Sequence, residues 1–204
     1  MKNINIKKDP GLLTLAIRLV IGWTYFSAFW RRVALDNKLD PESTGYIGEK
    51  FNHFLPNALG IKPIIQYLVE NPDILWINMV AFTIIEGIVG FFIMFGLFTR
   101  LMSIGVFGLA MGILLGAGWI GTTCLDEWQI GILGIATGFV LFLTGSGKYS
   151  LDNYLMNNNF IFTHKKWFHW LGSGDLPVKE RAFPKVVLIG SILILGITLM
   201  TNQV

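Results

Sequence analysis

The amino-acid sequence predicts an all-α membrane protein that crosses the bilayer several times. Of its 204 residues, 53% are hydrophobic and only 14% are charged, and the mean hydropathy is +0.58. This composition is too apolar for an ordinary soluble domain. The chain also contains several apolar blocks close to the roughly 20 residues that a helix needs to span a bilayer. No stretches of alternating polarity suggest a β-barrel, so we expect a helical bundle.

The first predicted span covers residues 11–30 and follows a short polar tail with three lysines. Its length, its aromatic content and the lack of a small-residue cleavage site favour an uncleaved helix over a signal peptide. We expect this helix to end abruptly at Arg31 and Arg32. Residues 31–73 then form a long polar loop, in which residues 46–59 and 63–69 mix aromatic and charged side chains as short interfacial helices do.

Three further spans are predicted over residues 74–98, 101–121 and 129–143, and a fifth helix over residues 186–200. Glycines at helical spacing in the third span predict a close approach of a neighbouring helix. They are Gly105, Gly108, Gly112 and Gly116. Residues 1–155 should therefore form one transmembrane bundle, and residues 156–204 a cytoplasmic amphipathic segment followed by the C-terminal helix.

The distribution of basic residues predicts the orientation of the chain. Ten lysines and arginines fall in the N-terminal tail, at the turn around Arg100 and in residues 148–185, whereas five fall between residues 31 and 62. The positive-inside rule then places the amino terminus in the cytoplasm. We accordingly expect a protein of the cytoplasmic membrane with the 31–73 loop and the turn around Cys124 outside it.

The residue types present limit the cofactors that the chain could hold by itself. Its single cysteine, Cys124, excludes an intrachain disulfide, a cysteine-rich zinc site and an iron–sulfur cluster, and no signature for attached haem is present. No glycine-rich dinucleotide motif follows a strand, so a flavin or nicotinamide fold is not encoded. We therefore expect no metal, flavin or haem, and any redox cofactor must dissolve in the membrane or arrive on a partner.

Several candidate functional residues fall on the expected outer face. The adjacent guanidinium groups of Arg31 and Arg32 are well shaped to hold an oxyanion, and Lys50 and His53 could assist them. The alternative is that the two arginines only end the helix at the lipid headgroups, as basic residues commonly do. A thiol near fixed cations becomes a better nucleophile, so Cys124 is a candidate catalytic residue. The alternative is that Cys124 is an inert residue in a turn.

Aromatic and buried charged residues form a second candidate group. Four tryptophans, Trp30, Trp76, Trp119 and Trp128, lie towards the same side. They either belong to an interfacial aromatic belt or line a slot for a flat quinone ring, for which Trp23 is a further candidate. Arg18 and Glu86 are the ionisable groups inside spans, where an unpaired charge is costly. We expect them to face the bundle and to pair, either to fix helix packing or to relay protons.

Several of these segments together resemble a known family. Arg18, the sequence EGIVG from Glu86, LFTRL from Leu97 and GSGKYSLD from Gly145 are similar to DoxX-type four-helix membrane proteins. FSAFWRR from Phe26, YIGEKFNHFLP from Tyr46 and TTCLDEW from Thr122 more narrowly resemble DoxD, a subunit of thiosulfate:quinone oxidoreductase. The likeness covers most of residues 11–155 and implies a DoxX-like four-helix bundle, here with a fifth helix.

The resemblance implies a reaction and partners. DoxD-like proteins are expected to oxidise two thiosulfates to tetrathionate and to pass two electrons to a membrane quinone, together with a DoxA-like second subunit. Arg31, Arg32, Lys50 and His53 would then hold thiosulfate, and Cys124 either accepts a thiosulfate sulfur or takes no part. The alternative function is a non-catalytic membrane scaffold for a redox partner. We expect no nucleic-acid partner, and a homo-oligomer remains open.

Overall fold

The structure, a computed structural model, describes residues 10–119, 126–158, 160–174, 176, 178 and 180–202. All regular secondary structure in these ranges is helical. The α-helices are α1 (Pro10–Leu13), α2 (Leu15–Trp30), α3 (Lys50–Phe54), α4 (Lys62–Glu70), α5 (Pro72–Phe95), α6 (Thr99–Ala117), α7 (Asp126–Thr144), α8 (Leu151–Asn157), α9 (Lys166–Leu171) and α10 (Phe183–Thr201).

Four helices are long and apolar enough to cross a membrane, namely α5, α6, residues 127–144 of α7, and α10. The 16-residue α2 is shorter, but the helical segments that flank it extend its path from Pro10 to Leu35. The predicted all-α polytopic fold is therefore confirmed. The C-terminal helix begins three residues earlier and ends one residue later than expected, which gives it 19 residues rather than 15.

The first helix does not stop at the arginine pair, as the sequence had led us to expect. Residues Arg31–Leu35 continue it as a π-helix, and the backbone N–H of Asp36 donates to the carbonyl of Arg31 at 3.0 Å. Single turns of π-helix are rare and often occur at functional sites. The extra turn keeps Arg32 beside α5 instead of releasing it into a loop.

Glycines bring α2 and α5 into direct backbone contact. A methyl group on Gly90 would stand 2.4 Å from the backbone nitrogen of Phe26, and one on Gly22 would stand 2.9 Å from the carbonyl oxygen of Gly90. Only glycine fits at both positions, because these neighbours are backbone atoms that cannot move aside. The two helices run antiparallel.

The second helix pair, α6 and α7, is held close by glycines of α7. A methyl group on Gly138 would stand 2.9 Å from the carbonyl oxygen of Ser103, and one on Gly131 would stand 2.9 Å from the Leu114 side chain. Of the α6 glycines, Gly105 approaches α5 closely, since a methyl group there would stand 2.7 Å from the Val89 side chain, whereas Gly108 has no neighbour within 4 Å. The small residues at the interface between α6 and α7 thus belong to α7, whereas most of the α6 glycines lie away from this interface.

The bundle has two distinct ends. Residues 36–71 with α3 and α4 cover the first, which we call the loop end, and residues 145–174 with α8 and α9 cover the second, the cap end. α10 runs antiparallel to α7 on the outside of the bundle. Its Gly190 packs on the Phe139 ring, and the Trp128 indole donates to the Thr201 hydroxyl at 3.0 Å near its far end. No residue of α10 is buried.

Candidate functional site

A buried polar cluster lies between α2 and α5. The Arg32 guanidinium donates to the Glu86 carboxylate and forms an ion pair with it, and the same nitrogen donates to the Thr83 hydroxyl at 3.3 Å. The side chains of Arg32 and Glu86 are only 14% and 3% exposed. Glu86 lies roughly 13 Å along α5 from Phe95 and roughly 21 Å from Pro72. The ion pair therefore lies inside the apolar part of the bundle.

The predicted pair between Arg18 and Glu86 is wrong. Glu86 has Arg32 as its partner, while the two terminal nitrogens of Arg18 donate to the carbonyl oxygens of Ser146 and Tyr149 at 2.5 and 2.6 Å. The prediction failed because α2 was assumed to end at Trp30, which would have left Arg32 too near the surface to reach Glu86. Arg18 instead ties α2 to the cap end.

Tyr25 completes the buried cluster and was missed by sequence reasoning. It is 2% exposed, and among the described residues no partner lies within hydrogen-bonding distance of its hydroxyl. Gly134 makes room for that hydroxyl, because a methyl group there would stand 3.0 Å from the oxygen. A signal was present in the sequence: Arg18, Tyr25 and Arg32 are seven residues apart and so share one helix face.

A second polar network closes the cap end. The buried Asp152 carboxylate accepts hydrogen bonds from the backbone N–H of Phe98 at 2.8 Å and of Thr99 at 3.0 Å, and from the Ser173 hydroxyl at 2.8 Å. The Arg100 side chain donates to the backbone carbonyls of Phe142, His169 and Gly174. Every contact in this network joins one chain segment to another.

The loop end carries the exposed charges among the candidate residues. Arg31 and His53 are exposed, and Lys50 forms an ion pair with Glu127 at 3.0 Å that links α3 to the start of α7. Arg31, Lys50 and His53 therefore share one end of the bundle, but Arg32 is turned inwards to Glu86. Cys124 lies outside the described residues, although Glu127, three positions later, is held at this end.

Of the candidate tryptophans, Trp23, Trp30, Trp119 and Trp128 do not converge on a single slot. Trp23 and Trp30 are 59% and 50% exposed on the outer face of α2. Trp119 and Trp128 instead pack edge to face against each other, with ring centroids 5.2 Å apart. The first pair belongs to the lipid-facing surface and the second to the junction of α6, α7 and α10.

A cavity of about 550 Å³ lies at the loop end, between the start of α5 and the segment that follows the π-helix. It was not predicted from the sequence. Its lining residues are Asn37, Leu39, Asp40, Pro41, Tyr46, Pro72, Asp73, Trp76 and Val80. Among the described residues, no group of three or more His, Cys, Asp or Glu side chains is placed to hold a metal ion there or elsewhere.

The apolar helices, the buried ion pair and the charged loop end together define a polytopic α-helical membrane protein. Residues 13–179 match the family described as TQO small subunit DoxD, and the chain belongs to that family. TQO denotes a thiosulfate:quinone oxidoreductase, so the family name implies a partner subunit and an oxidoreductase role. A comparison with solved structures finds no match.

Proposed function

We propose that this chain is the membrane subunit of a thiosulfate:quinone oxidoreductase of the cytoplasmic membrane. Two thiosulfates lose two electrons and couple to tetrathionate, and one quinone takes up these electrons and two protons to become a quinol. The observation that carries the proposal is the DoxD family match over residues 13–179. The loop end would face outwards, with the amino terminus in the cytoplasm, and a DoxA-like subunit would complete the enzyme.

Thiosulfate would bind at the loop end, chiefly to Arg31. Its exposed guanidinium, together with Lys50 and His53 of α3 at the same end of the bundle, would hold a dianion and offset the repulsion between two dianions that must meet. Arg32 would not hold the dianion, because its charge is neutralised by Glu86 and a dianion is costly to bring to that depth. The two adjacent arginines therefore have different roles.

Variants of the two arginines test this assignment. Arg31→Gln should raise the thiosulfate KM roughly tenfold or more, because a hydrogen bond to a charged group contributes about 1.5–3 kcal/mol. Lys62→Gln removes an equal charge from another exposed position of the loop end and should change the KM little. Equal effects of both variants would mean that thiosulfate is attracted only by the general positive charge of the loop end. An unchanged KM in Arg31→Gln would reject Arg31 as the thiosulfate-binding residue.

Two routes for sulfur coupling remain to be separated. In the covalent route, the Cys124 thiolate joins the sulfane sulfur of one thiosulfate as two electrons pass to the quinone. A second thiosulfate then attacks that sulfur, which releases tetrathionate and restores the thiolate. In the direct route, thiosulfate reacts with the quinone and Cys124 takes no part. Normal turnover by Cys124→Ser would eliminate the covalent route.

A non-catalytic scaffold is the second candidate, favoured by the description of the family as a small subunit and by α10, none of whose residues is buried. The two functions differ in one assay. The purified chain, with and without its partner subunit, is mixed with thiosulfate and a short-chain quinone while quinol absorbance is followed. Quinol formed by the chain alone supports catalysis; quinol formed equally by the partner alone supports the scaffold.

A further inference from the structure

We propose that the cap end binds acidic phospholipids of the leaflet around it through residues 160–170, which we call the cap-end patch. This inference goes beyond the proposed function and does not depend on it. The patch has the sequence FIFTHKKWFHW, with five aromatic residues, two adjacent lysines and no acidic residue. Segments that combine aromatic and basic side chains in this way are typical of the lipid headgroup region.

The patch lies level with the ends of three spanning helices. The fully buried Phe168 ring packs edge to face against Phe98, in the turn between α5 and α6, with ring centroids 5.7 Å apart. The Trp170 ring packs edge to face against Phe142, close to the end of α7, with centroids 6.3 Å apart. Because spanning helices end where the hydrocarbon layer ends, the patch lies at the depth of the lipid headgroups.

Hydrogen bonds fix the patch to the bundle. The Arg100 guanidinium, at the start of α6, donates to the His169 carbonyl at 2.9 Å. The buried Thr163 hydroxyl donates to the Phe160 carbonyl at 2.7 Å and closes the turn before α9. The patch is therefore ordered before a lipid arrives, so that binding costs it little conformational entropy.

The aromatic rings of the patch form one continuous surface. The Phe162 ring lies between those of Phe160 and Phe168, with centroids 5.8 and 5.4 Å away, and the Trp167 ring is 5.8 Å from that of Phe168. Ile161, next to the first of these rings, is 87% exposed. An exposed apolar surface of this kind marks an interaction site. At this depth the headgroups and upper acyl chains of the bilayer are in place to cover it.

The lysines of the patch select acidic headgroups over zwitterionic ones. Lys165 and Lys166 are both exposed. Residues 145–174 contain one acidic residue, Asp152, which is buried and accepts hydrogen bonds from backbone N–H groups. No carboxylate of this segment therefore neutralises the two lysines. A lysine beside an acidic lipid surface strengthens binding roughly fivefold, whereas a zwitterionic headgroup offers it no net charge.

The loop end has the opposite balance of charge. Residues 36–73 contain six acidic residues and only three lysines, so an acidic phospholipid would be repelled there. The preference for acidic lipids should therefore belong to one end of the bundle. Lysines of the loop end then provide a matched control within the same chain.

Native mass spectrometry of the full chain in a neutral detergent measures the lipid preference. The wild-type chain should bind dioleoylphosphatidylglycerol roughly tenfold more tightly than dioleoylphosphatidylcholine. Lys165→Gln combined with Lys166→Gln should remove most of this preference. Lys38→Gln combined with Lys62→Gln removes the same charge from the loop end and should leave the preference unchanged. Circular dichroism checks that both double variants remain folded.

A second measurement locates the bound lipid. The full chain carries a bimane label on Ile161→Cys, with Cys124→Ser to remove the native thiol, in nanodiscs of phosphatidylglycerol. Iodide in the buffer should quench this label little, because lipid covers the exposed position. The same label on Thr44→Cys, at an exposed position of the loop end, should be quenched strongly.

The outcomes are distinct. Equal affinity of the wild-type chain for the two lipids, or a preference that survives in the Lys165 and Lys166 double variant, would overturn the inference. Competition by inorganic phosphate would also overturn it, since that would indicate a site for free anions. Iodide quenching at position 161 that only a partner subunit prevents would make the patch a protein interface instead. A preference lost in this double variant alone, together with a shielded label, supports lipid binding.

Discussion

The two ends of the bundle use the same residue types in opposite ways. At the cap end, Arg18 and Arg100 donate to backbone carbonyls, and Asp152 accepts from backbone N–H groups and hydroxyls. At the loop end, Arg31 and His53 are exposed to solvent. Polar groups engaged by the backbone stabilise the fold, whereas polar groups left open are available to a ligand.

This difference has a physical cause. A buried charge is tolerated only when hydrogen bonds replace its lost hydration. Backbone carbonyls in loops can accept these hydrogen bonds, so that no ligand is needed. The cap end meets that requirement within the chain. The Arg32–Glu86 pair lies between the two extremes. It is buried and paired, but the nearby Tyr25 hydroxyl has no hydrogen-bond partner in the part of the chain that the structure describes.

The largest expected effect is on the cap end. Asp152→Ala should lower the free energy of unfolding by about 4 kcal/mol, because several charge-assisted hydrogen bonds are lost and backbone N–H groups stay buried. Unfolding in mixed detergent micelles measures this. Asp36→Ala, at an exposed surface pair, should change stability by less than about 0.5 kcal/mol. Similar effects of both variants would remove the distinction between the ends.

The buried ion pair should give the next largest effect. Glu86→Gln leaves the Arg32 charge without its partner and should cost about 3 kcal/mol of stability. Adding Arg32→Gln should recover part of that loss, because the uncompensated charge is removed. Equilibrium unfolding of both single variants and the double variant completes a mutant cycle. Additive losses would mean that the two side chains do not interact in the folded protein.

A smaller effect is expected at the α2–α5 contact. Gly90→Ala would press a methyl group against the backbone of Phe26 and should cost about 2 kcal/mol through helix separation. Gly108→Ala faces open space on α6 and serves as the matched control, with little or no loss of stability. Thermal unfolding of the two variants should therefore differ clearly. Equal stability would show that glycine contact does not hold this helix pair.

The smallest effect is expected at the exposed ion pair of the loop end. Lys50→Gln should change stability by less than about 0.5 kcal/mol, because the Lys50 side chain is 54% exposed and solvent screens the pair. The same variant should raise the thiosulfate KM if Lys50 assists Arg31. A marked loss of stability would instead show that Lys50 has a structural role, like the buried charges of the cap end.

Much of the fold followed from local pattern. Apolar blocks of spanning length predicted the positions of α5, α6, α7 and α10, because bilayer thickness acts on each helix separately. The expected end of the first helix was wrong, since basic residues after an apolar run usually mark the headgroup level. Nothing local in residues 31–35 distinguishes a stop from a further π-turn that a partner helix stabilises.

The sequence predicted which residues lie at the candidate site, but not which of them form ion pairs with each other. Arg31, Lys50 and His53 do share one end, as the order of the spans required. Whether Arg18 or Arg32 reaches Glu86 depends on the depth of each residue, which the π-helix changes. The cavity beside Trp76 could not be foreseen, because its walls come from segments about 30 residues apart that meet only after folding.

By itself, the sequence determined an all-α membrane protein, the approximate spans and the family, because these depend on composition and on residues that are neighbours along the chain. The tertiary structure alone decided which arginine neutralises Glu86, which glycines face a partner helix and where a cleft opens at the loop end. These features depend on distances between separate helices, and such distances are set by side-chain packing across the whole bundle.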